Sequence, residues 1–444
     1  MRIRMRYIGL LALAGLLSVL AASGGIANAT GTASGCAAYT AYGKFKSKKV
    51  SFYSAIVAPQ DKSFTDSFKK FESCTGIKID FQGDKQFDSQ IQVRIQGGNA
   101  PDLAVFAQPG IVKQLATTRK IVTAPASVVA NLKKFWSPAW AGYVTVNKKV
   151  YGAPLGANVK SLVWYSPKMF QANGWTIPKT LGELKTLSDR IAATGKKPWC
   201  VGIGSGDATG WPVTDWMEEM MLRLYGVKTY DNWVNHRVPF NGPAATGALN
   251  AAGAYIKNPA YVNGGLGDVT SVASTSFVDA GLPIFQDQCA LHRQGSFYGE
   301  FWPKGTNISP NGDIFAFYFP GKTATSKPVL GGGEFLVAFS SRPEVRAFQA
   351  FMSSATWANA KVASTPTGGW VSANKGLVAT KLRNPIDRLS ATILQDKNSV
   401  FRYDGSDQMP GAVGTDAFWK QSTKWILGQS TKDTLDAIEA AWPS

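Results

Sequence analysis

Apolar and polar positions alternate with two different periods early in the chain. Val50, Phe52 and Ser54 alternate with Ser51, Tyr53 and Ala55, which predicts a short strand. Phe64, Phe68 and Phe71 then recur at helical spacing, which predicts an amphipathic helix starting near Asp61. Ile77, Ile79 and Phe81 alternate again before Gly83; Phe87 to Ile95 reads as a second helix stopped by Gly97-Gly98, and Leu103 to Phe106 as a third strand entered through Pro101-Asp102. This strand–helix alternation predicts a mainly parallel sheet with right-handed crossovers. Ligands of such sheets bind outside the carboxyl ends of the strands. Those ends are Ser54 to Ala58, Gly83-Asp84 and Ala107-Gln108-Pro109. Asp84 and Gln108 are therefore candidate ligand contacts, with turn or cap roles as the competing reading of each.

A second α/β region is expected after Tyr151-Gly152-Ala153-Pro154. Leu162 to Tyr165 is strand-like, Leu181 to Ala193 helical, and Trp199 to Ile203 strand-like before the loop that runs from Gly204 to Gly210. Trp211 and Asp215 open a helix directed towards Tyr225. Pro328-Val329-Leu330 leads into Gly331-Gly332-Gly333, an apolar run from Phe335 to Phe339 and a helix near Pro343. A last helix places Leu435, Ile438 and Trp442 on one face.

The N-terminus adds a compartment. Arg2, Arg4 and Arg6 precede an apolar run from Tyr7 to Ala22, and Ala27-Asn28-Ala29 supplies the small residues of a cleavage site, so residues 1–29 read as an export signal. Cys36 lies too far from the apolar run, and lacks the bulky aliphatic residue before it, for lipid attachment. The expected product is soluble, untethered and periplasmic. In that oxidising setting Cys36, Cys74, Cys200 and Cys289 are read as disulfide partners. Cys36 with Cys74 and Cys200 with Cys289 is the simplest pairing, since each bridge then closes a loop within one stretch of chain. With no Cys-x-x-Cys present, a metal site is not expected.

Composition narrows the chemistry further. Hydrophobic residues make up 45% of the 444, enough for two ordinary cores, while 47 Lys+Arg against 29 Asp+Glu give a formal charge of +18, or +15 once residues 1–29 are removed. The basic residues are scattered, and the densest cluster, Lys44 to Lys49, falls in the small, polar arm at residues 30–48, so nucleic acid is not the expected partner. His236 and His292, the two histidines, stand in no metal-ligand motif. Gly204-Ser205-Gly206 lacks the spacing of a nucleophile elbow, and no phosphate-binding glycine loop occurs, so no metal or nucleotide cofactor is expected. Paired carboxylates of a glycoside hydrolase need no motif, and Glu218, Glu219 and Glu334 are the candidates for that alternative, a secreted carbohydrate-active enzyme.

Fourteen tryptophans stand out, several beside glycines. Trp211 follows Gly210 and Trp370 follows Gly368-Gly369, positions that suggest indoles near turns and not in mid-core. An indole can stack on the C–H face of a sugar ring while Asp, Asn, Gln and Arg side chains bond its hydroxyls. The ligand class favoured by this chemistry is carbohydrate.

These residues fall in segments that are familiar together. Phe71 to Ile77, Gly98 to Asp102, Gln108-Pro109-Gly110, Ala208 to Pro212, His292-Arg293-Gln294, Gly331 to Phe335 and Gly368 to Asn374 occur in an order that resembles the extracellular solute-binding proteins of ABC sugar importers. That family includes maltose-binding protein, and the resemblance, over roughly residues 36–443, is strongest to its α-glucoside branch. It implies an α/β, two-lobed periplasmic-binding-protein-like fold of type II, with hinge strands and an interlobe ligand cleft. Residues 49–154 plus 328–370 would form lobe 1, and 155–327 plus 371–444 lobe 2. Tyr151 to Leu155 would be the first crossing and Pro328 to Gly333 the return. The resemblance further implies that Asp84, Gln108, Trp211, Asp215, Arg293, Glu334 and Trp370 contact sugar. It implies a monomer that performs no reaction and delivers a disaccharide or small oligosaccharide to a membrane permease.

Overall fold

The computed structural model describes residues 35–443. The export signal read at residues 1–29 lies outside them, as does the start of the N-terminal arm. From Ala38 onward the chain builds two main sheets. In chain order the strands are β1 (Lys48–Ser54), β2 (Ile77–Gly83), β3 (Leu103–Phe106), β4 (Thr145–Val146), β5 (Lys149–Val150), β6 (Gly152–Val159), β7 (Leu162–Tyr165), β8 (Lys197–Cys200), β9 (Val262–Asn263), β10 (Cys289–Arg293), β11 (Phe315–Tyr318), β12 (Lys327–Ala338) and β13 (Ser399–Tyr403).

The first sheet has the order β13-β12-β3-β1-β2, with β6 also paired to β12. β1 runs parallel to β2 and β3, placing Phe52 opposite both Phe81 and Leu103. The helices Gln60–Thr75 and Phe87–Gln96 are the crossovers. Their apolar faces are those set by the spacing of Phe64, Phe68 and Phe71 and of Phe87, Ile91 and Ile95, all buried. Tyr39 and Tyr42, from the stretch preceding β1, pack on Phe351, and Tyr42 also meets Phe71 edge-on. The second sheet has the order β11-β7-β10-β8-β9, parallel along β10-β8-β9 and antiparallel at β7.

Two strands join the sheets. β6 belongs to the first and continues through Lys160 and Ser161 into β7 of the second. β12 returns, its N-terminal half paired with β13 and its C-terminal half with β3, while β6 runs antiparallel alongside. The glycines here are dictated by close approach: a Cβ on Gly331 would lie 2.1 Å from the Phe401 ring, and one on Gly333 2.7 Å from the Gly156 carbonyl. The Gly331–Gly333 stretch and the apolar run after it form one strand, with a register shift against β6 between Gly333 and Phe335.

Other departures from the expected elements are local. β8 ends at Cys200, because its neighbour β9 ends at Asn263, and after one more ladder bond from the Val201 N–H the Ile203 N–H turns to Val272 instead. The last helix, Thr431–Glu439, stops before Trp442, whose indole stacks on His236 at 4.0 Å. A disulfide links Cys200 in β8 to Cys289 in β10, with Cα atoms 5.5 Å apart, and Cys36 and Cys74 are each disulfide-bonded as well. Among the described residues no helix is long and apolar enough to cross a membrane, and no His, Cys, Asp and Glu cluster could hold a metal ion.

Candidate functional site

The carboxyl ends of β1 and β3 open onto a cleft of about 700 Å3. From the first sheet come Ala55, Val57 and Ala58 after β1, Lys85 and Asp88 after β2, and Ala107 and Gln108 after β3. The facing wall carries the loop around Gly204–Thr209, Trp211 at the first turn of the helix Trp211–Leu224, and Phe277, Phe297, Phe301 and Trp419. The crossing strands contribute Asn158, Lys160, Gly332 and Gly333, and the turn after β13 supplies Asp404, Ser406 and Asp407.

Trp211 is set by its local sequence. Gly210 takes a φ of +113°, and a Cβ there would strike the Trp419 carbonyl at 2.1 Å, so only glycine lets the chain enter the helix at this angle. The indole is left half-buried, edge-on to Phe277 at 5.2 Å and tilted to Phe297 at 6.1 Å. Phe277, Phe297 and Phe301 are likewise only half-buried. Four aromatic rings thus present an incompletely covered apolar wall to the cleft.

Polar groups on the same lining are unsatisfied. Gln108 precedes the helix Pro109–Thr117, yet its side chain makes no cap bond, and its Oε1 is buried without a partner. The Nε1 of Trp419 is also buried and unpartnered. Asp407 is 6% exposed, and no hydrogen bond from the described residues reaches its carboxylate. Buried polar groups are normally hydrogen-bonded, so an acceptor, a donor and a carboxylate left open on one surface mark a place where something else supplies the partners.

Lys160 stands between the two crossings at 8% exposure. Its Nζ donates to Asp215 Oδ1 at 2.9 Å and to Asp404, and lies 5.3 Å from the centre of the Trp211 ring. Burial alone would drain its charge, but Asp215, Asp404 and Asp407 outweigh that and hold the ammonium well above its ordinary range. Burial works against the Asp404 charge too, and Lys160 together with the Ser406 hydroxyl overcomes it, bringing that carboxyl down to about 2. Asp215 is completed by Arg293 at 2.8 Å, and Arg293 reaches on to Glu219 at 3.2 Å.

Of the seven residues expected to contact a ligand, Gln108 and Trp211 line the cleft. Asp215 and Arg293 are brought together directly behind it, fully buried, and reach it through Lys160. Asp84 is held as a turn: it accepts the Tyr53 hydroxyl at 2.6 Å and the Gln86 N–H at 2.9 Å, bonds that keep its carboxyl below the usual range, and its neighbour Lys85 meets the cleft instead. Glu334 and Trp370 pair with each other beside the crossing. Glu334 accepts the Gly156 N–H at 3.1 Å and the Trp370 indole N–H at 3.4 Å. Gly368 and Gly369 do make the turn expected before Trp370, with φ of +73° and +104°, but the indole is 3% exposed and packs edge-on against Trp357 in the core of the first lobe.

The three glutamates considered for hydrolysis are all committed elsewhere. Glu218 accepts the N–H groups of Gly405 and Ser406 and the Tyr230 hydroxyl, Glu219 pairs with Arg223 and Arg293, and none of the three lines the cleft. Lys160, Asp404, Asp407 and the phenylalanines escaped the sequence reading. For Lys160 a signal existed: a lysine inside the apolar run from Leu155 to Tyr165 must be paired or line a cavity.

Comparison with known proteins adds four findings. A family model described as "Bacterial extracellular solute-binding protein" matches residues 55–386. The chain is 35% identical to the "Alpha-glucosides-binding periplasmic protein AglE" of Rhizobium meliloti, covering 86% of this chain and 84% of that protein. It is 36% identical to the "Osmoprotective compounds-binding protein GgtB" of Synechocystis, covering 89% and 93%. Among solved structures, a maltose-bound protein of T. maritima superposes with a TM-score of 0.69 at 16% identity, over 88% of this chain and 98% of that one, so the two share a fold.

Proposed function

The chain belongs to the bacterial extracellular solute-binding protein family, and from that premise we propose that it is the subunit of an ABC transporter that captures a carbohydrate, an α-glucoside disaccharide or small oligosaccharide, and delivers it to a membrane permease. One observation carries the ligand class: a wall of half-buried aromatic rings centred on Trp211 shares a single cleft with the open polar atoms of Gln108 and Trp419 and with the Asp407 carboxylate. A sugar ring is apolar on its faces and polar around its edge, and it fills both demands at once. The α-glucoside-binding relative supports the particular sugar.

In this reading the contacts are made by Gln108, Trp211, Asp407 and Trp419, with Lys160 as a fixed donor on the floor. Asp215 and Arg293 act through Lys160, and Glu334 and Trp370 stiffen the crossing strand beside it. No bond is made or broken. The sugar stabilises the closed arrangement of the lobes only by binding it better than the open one, and the permease reads closure. The protein works as a periplasmic monomer, one lobe built on the first sheet with β13 at its edge and the other on the second.

A thermal-shift screen of the mature protein against mono- and disaccharides tests the assignment. Maltose, sucrose, trehalose or isomaltose should raise the melting temperature in a saturable manner, by the mass-action stabilisation of a ligand that binds only the folded state. A flat response to every sugar, with a shift from amino acids or peptides, contradicts it.

A further inference from the structure

The charges on the cleft wall do not cancel. Its basic side chains are Lys85 and Lys160, and its acidic ones Asp88, Asp279, Asp404 and Asp407. Lys160 is spent on Asp215 and Asp404, and Arg293 behind it on Asp215 and Glu219. Lys85 and Asp279 are exposed at the rim and form no ion pair. That leaves Asp88, half-buried, and Asp407, buried, inside without an ion pair: the Lys160 charge acts on Asp407 without bonding it, and burial pushes both carboxyls up, Asp88 to about 6. Asp407 is 94% shielded from solvent and its carboxylate takes no hydrogen bond from the described residues; Asp88, on the helix Phe87–Gln96, takes none either. Beyond Asp88 stands another acid, Asp207, which accepts the Ser89 hydroxyl across the mouth of the cleft. Beside these carboxylates the buried Oε1 of Gln108 also lacks a donor. The lining therefore calls chiefly for hydrogen-bond donors, and for positive charge.

Resting on the sugar-binding reading of this cleft, we propose that Asp88 and Asp407 make it selective by charge, so that it takes a glycoside bearing a protonated amine in preference to the neutral sugar and rejects one bearing a carboxylate or phosphate. A neutral hydroxyl offers each carboxylate one ordinary hydrogen bond. An ammonium in its place offers a charge-assisted one and favours the charged form of carboxyls whose pKa burial otherwise raises. A ligand anion finds no free cation inside and is repelled by these carboxylates in their charged form.

The test is isothermal calorimetry at pH 7.5 with trehalose, its 2-amino-2-deoxy and 6-amino-6-deoxy derivatives, and trehalose 6-phosphate. At least one amine should bind about tenfold or more tightly than trehalose, and the phosphate at least tenfold more weakly. In Asp407→Asn, and separately in Asp88→Asn, the amine-to-neutral ratio should fall towards one. The ratio is read within each variant, so a general loss of affinity does not mimic the result, and the phosphate comparison needs no variant at all. Amines binding no tighter than trehalose, or the phosphate binding as well as trehalose, overturns the charge selection while leaving the sugar reading intact. Failure of every sugar in the neutral screen overturns the underlying reading instead.

Discussion

The ammonium of Lys160 lies 2.9 Å from the Asp215 carboxylate and also donates to Asp404. Asp215 belongs to the helix headed by Trp211, Asp404 follows the last strand of the first sheet, and Lys160 itself sits where β6 leaves one sheet for the other. One side chain thus ties the helix headed by Trp211 to the end of the first sheet, where the chain crosses between the two sheets on the floor of the cleft.

Lys160→Met should therefore destabilise the whole chain. It removes one partner of a buried ion cluster and leaves Asp404 without its cation, a change that costs about 3–5 kcal/mol. Urea unfolding of the variant and the parent protein measures this. The same variant should also bind sugar more weakly, because the fixed donor is gone.

Trp211→Ala and Trp370→Ala should separate binding from stability. Trp211 is half-buried on the cleft wall, and its loss is expected to weaken sugar binding by about 1–3 kcal/mol, the worth of a stacking platform, with little change in melting temperature. Trp370 is buried against Trp357, and its truncation opens a core cavity costing about 3–5 kcal/mol of stability. Calorimetric titration and thermal melting of the two variants read the contrast.

Asp387 should give stability a pH dependence of definite sign. Burial pushes its carboxyl up to about 7, against the Gly369 N–H at 2.7 Å that favours the charged form. The folded state thus holds the proton more tightly than the unfolded state. Its contribution is full below the ordinary carboxyl range near pH 4 and is lost as the pH rises through about 7. Between those limits the parent protein should lose stability relative to Asp387→Asn by up to about 1.4 kcal/mol per pH unit. Urea titrations of both proteins at pH 4.5, 6 and 8 measure the difference.

The Cys200–Cys289 bridge joins neighbouring strands of the second sheet across a separation of 89 residues. Replacing both cysteines by serine should cost about 2–5 kcal/mol, by freeing a long loop in the unfolded chain. Denaturant midpoints of the double variant test this against the parent.

Much of the architecture was legible because the apolar spacing is clean. β1 to β3 and their two helices follow directly from the alternation at Val50, Ile77 and Leu103 and the phenylalanine spacing after Asp61. The glycine run at Gly331 hid the length of β12, since glycines usually interrupt strands and here they let two strands and Phe401 approach. The site was legible only where a strand end or a turn announced it, as at Gln108 and Trp211. Lys160, Asp404 and Asp407 meet through tertiary folding over more than 240 residues, and no local spacing records that meeting. Glu334 and Trp370 show the reverse: a polar or aromatic residue beside glycines can be turned inward to brace a strand.

The most direct measurement is recovery of the captured ligand. The mature protein is saturated with a radiolabelled α-glucoside disaccharide found by the screen, freed of unbound sugar by gel filtration, denatured, and its ligand chromatographed. A cleft that only holds its sugar returns one equivalent per chain of the intact disaccharide, however long the incubation. Released monosaccharide, or protein that emerges without sugar, would contradict it.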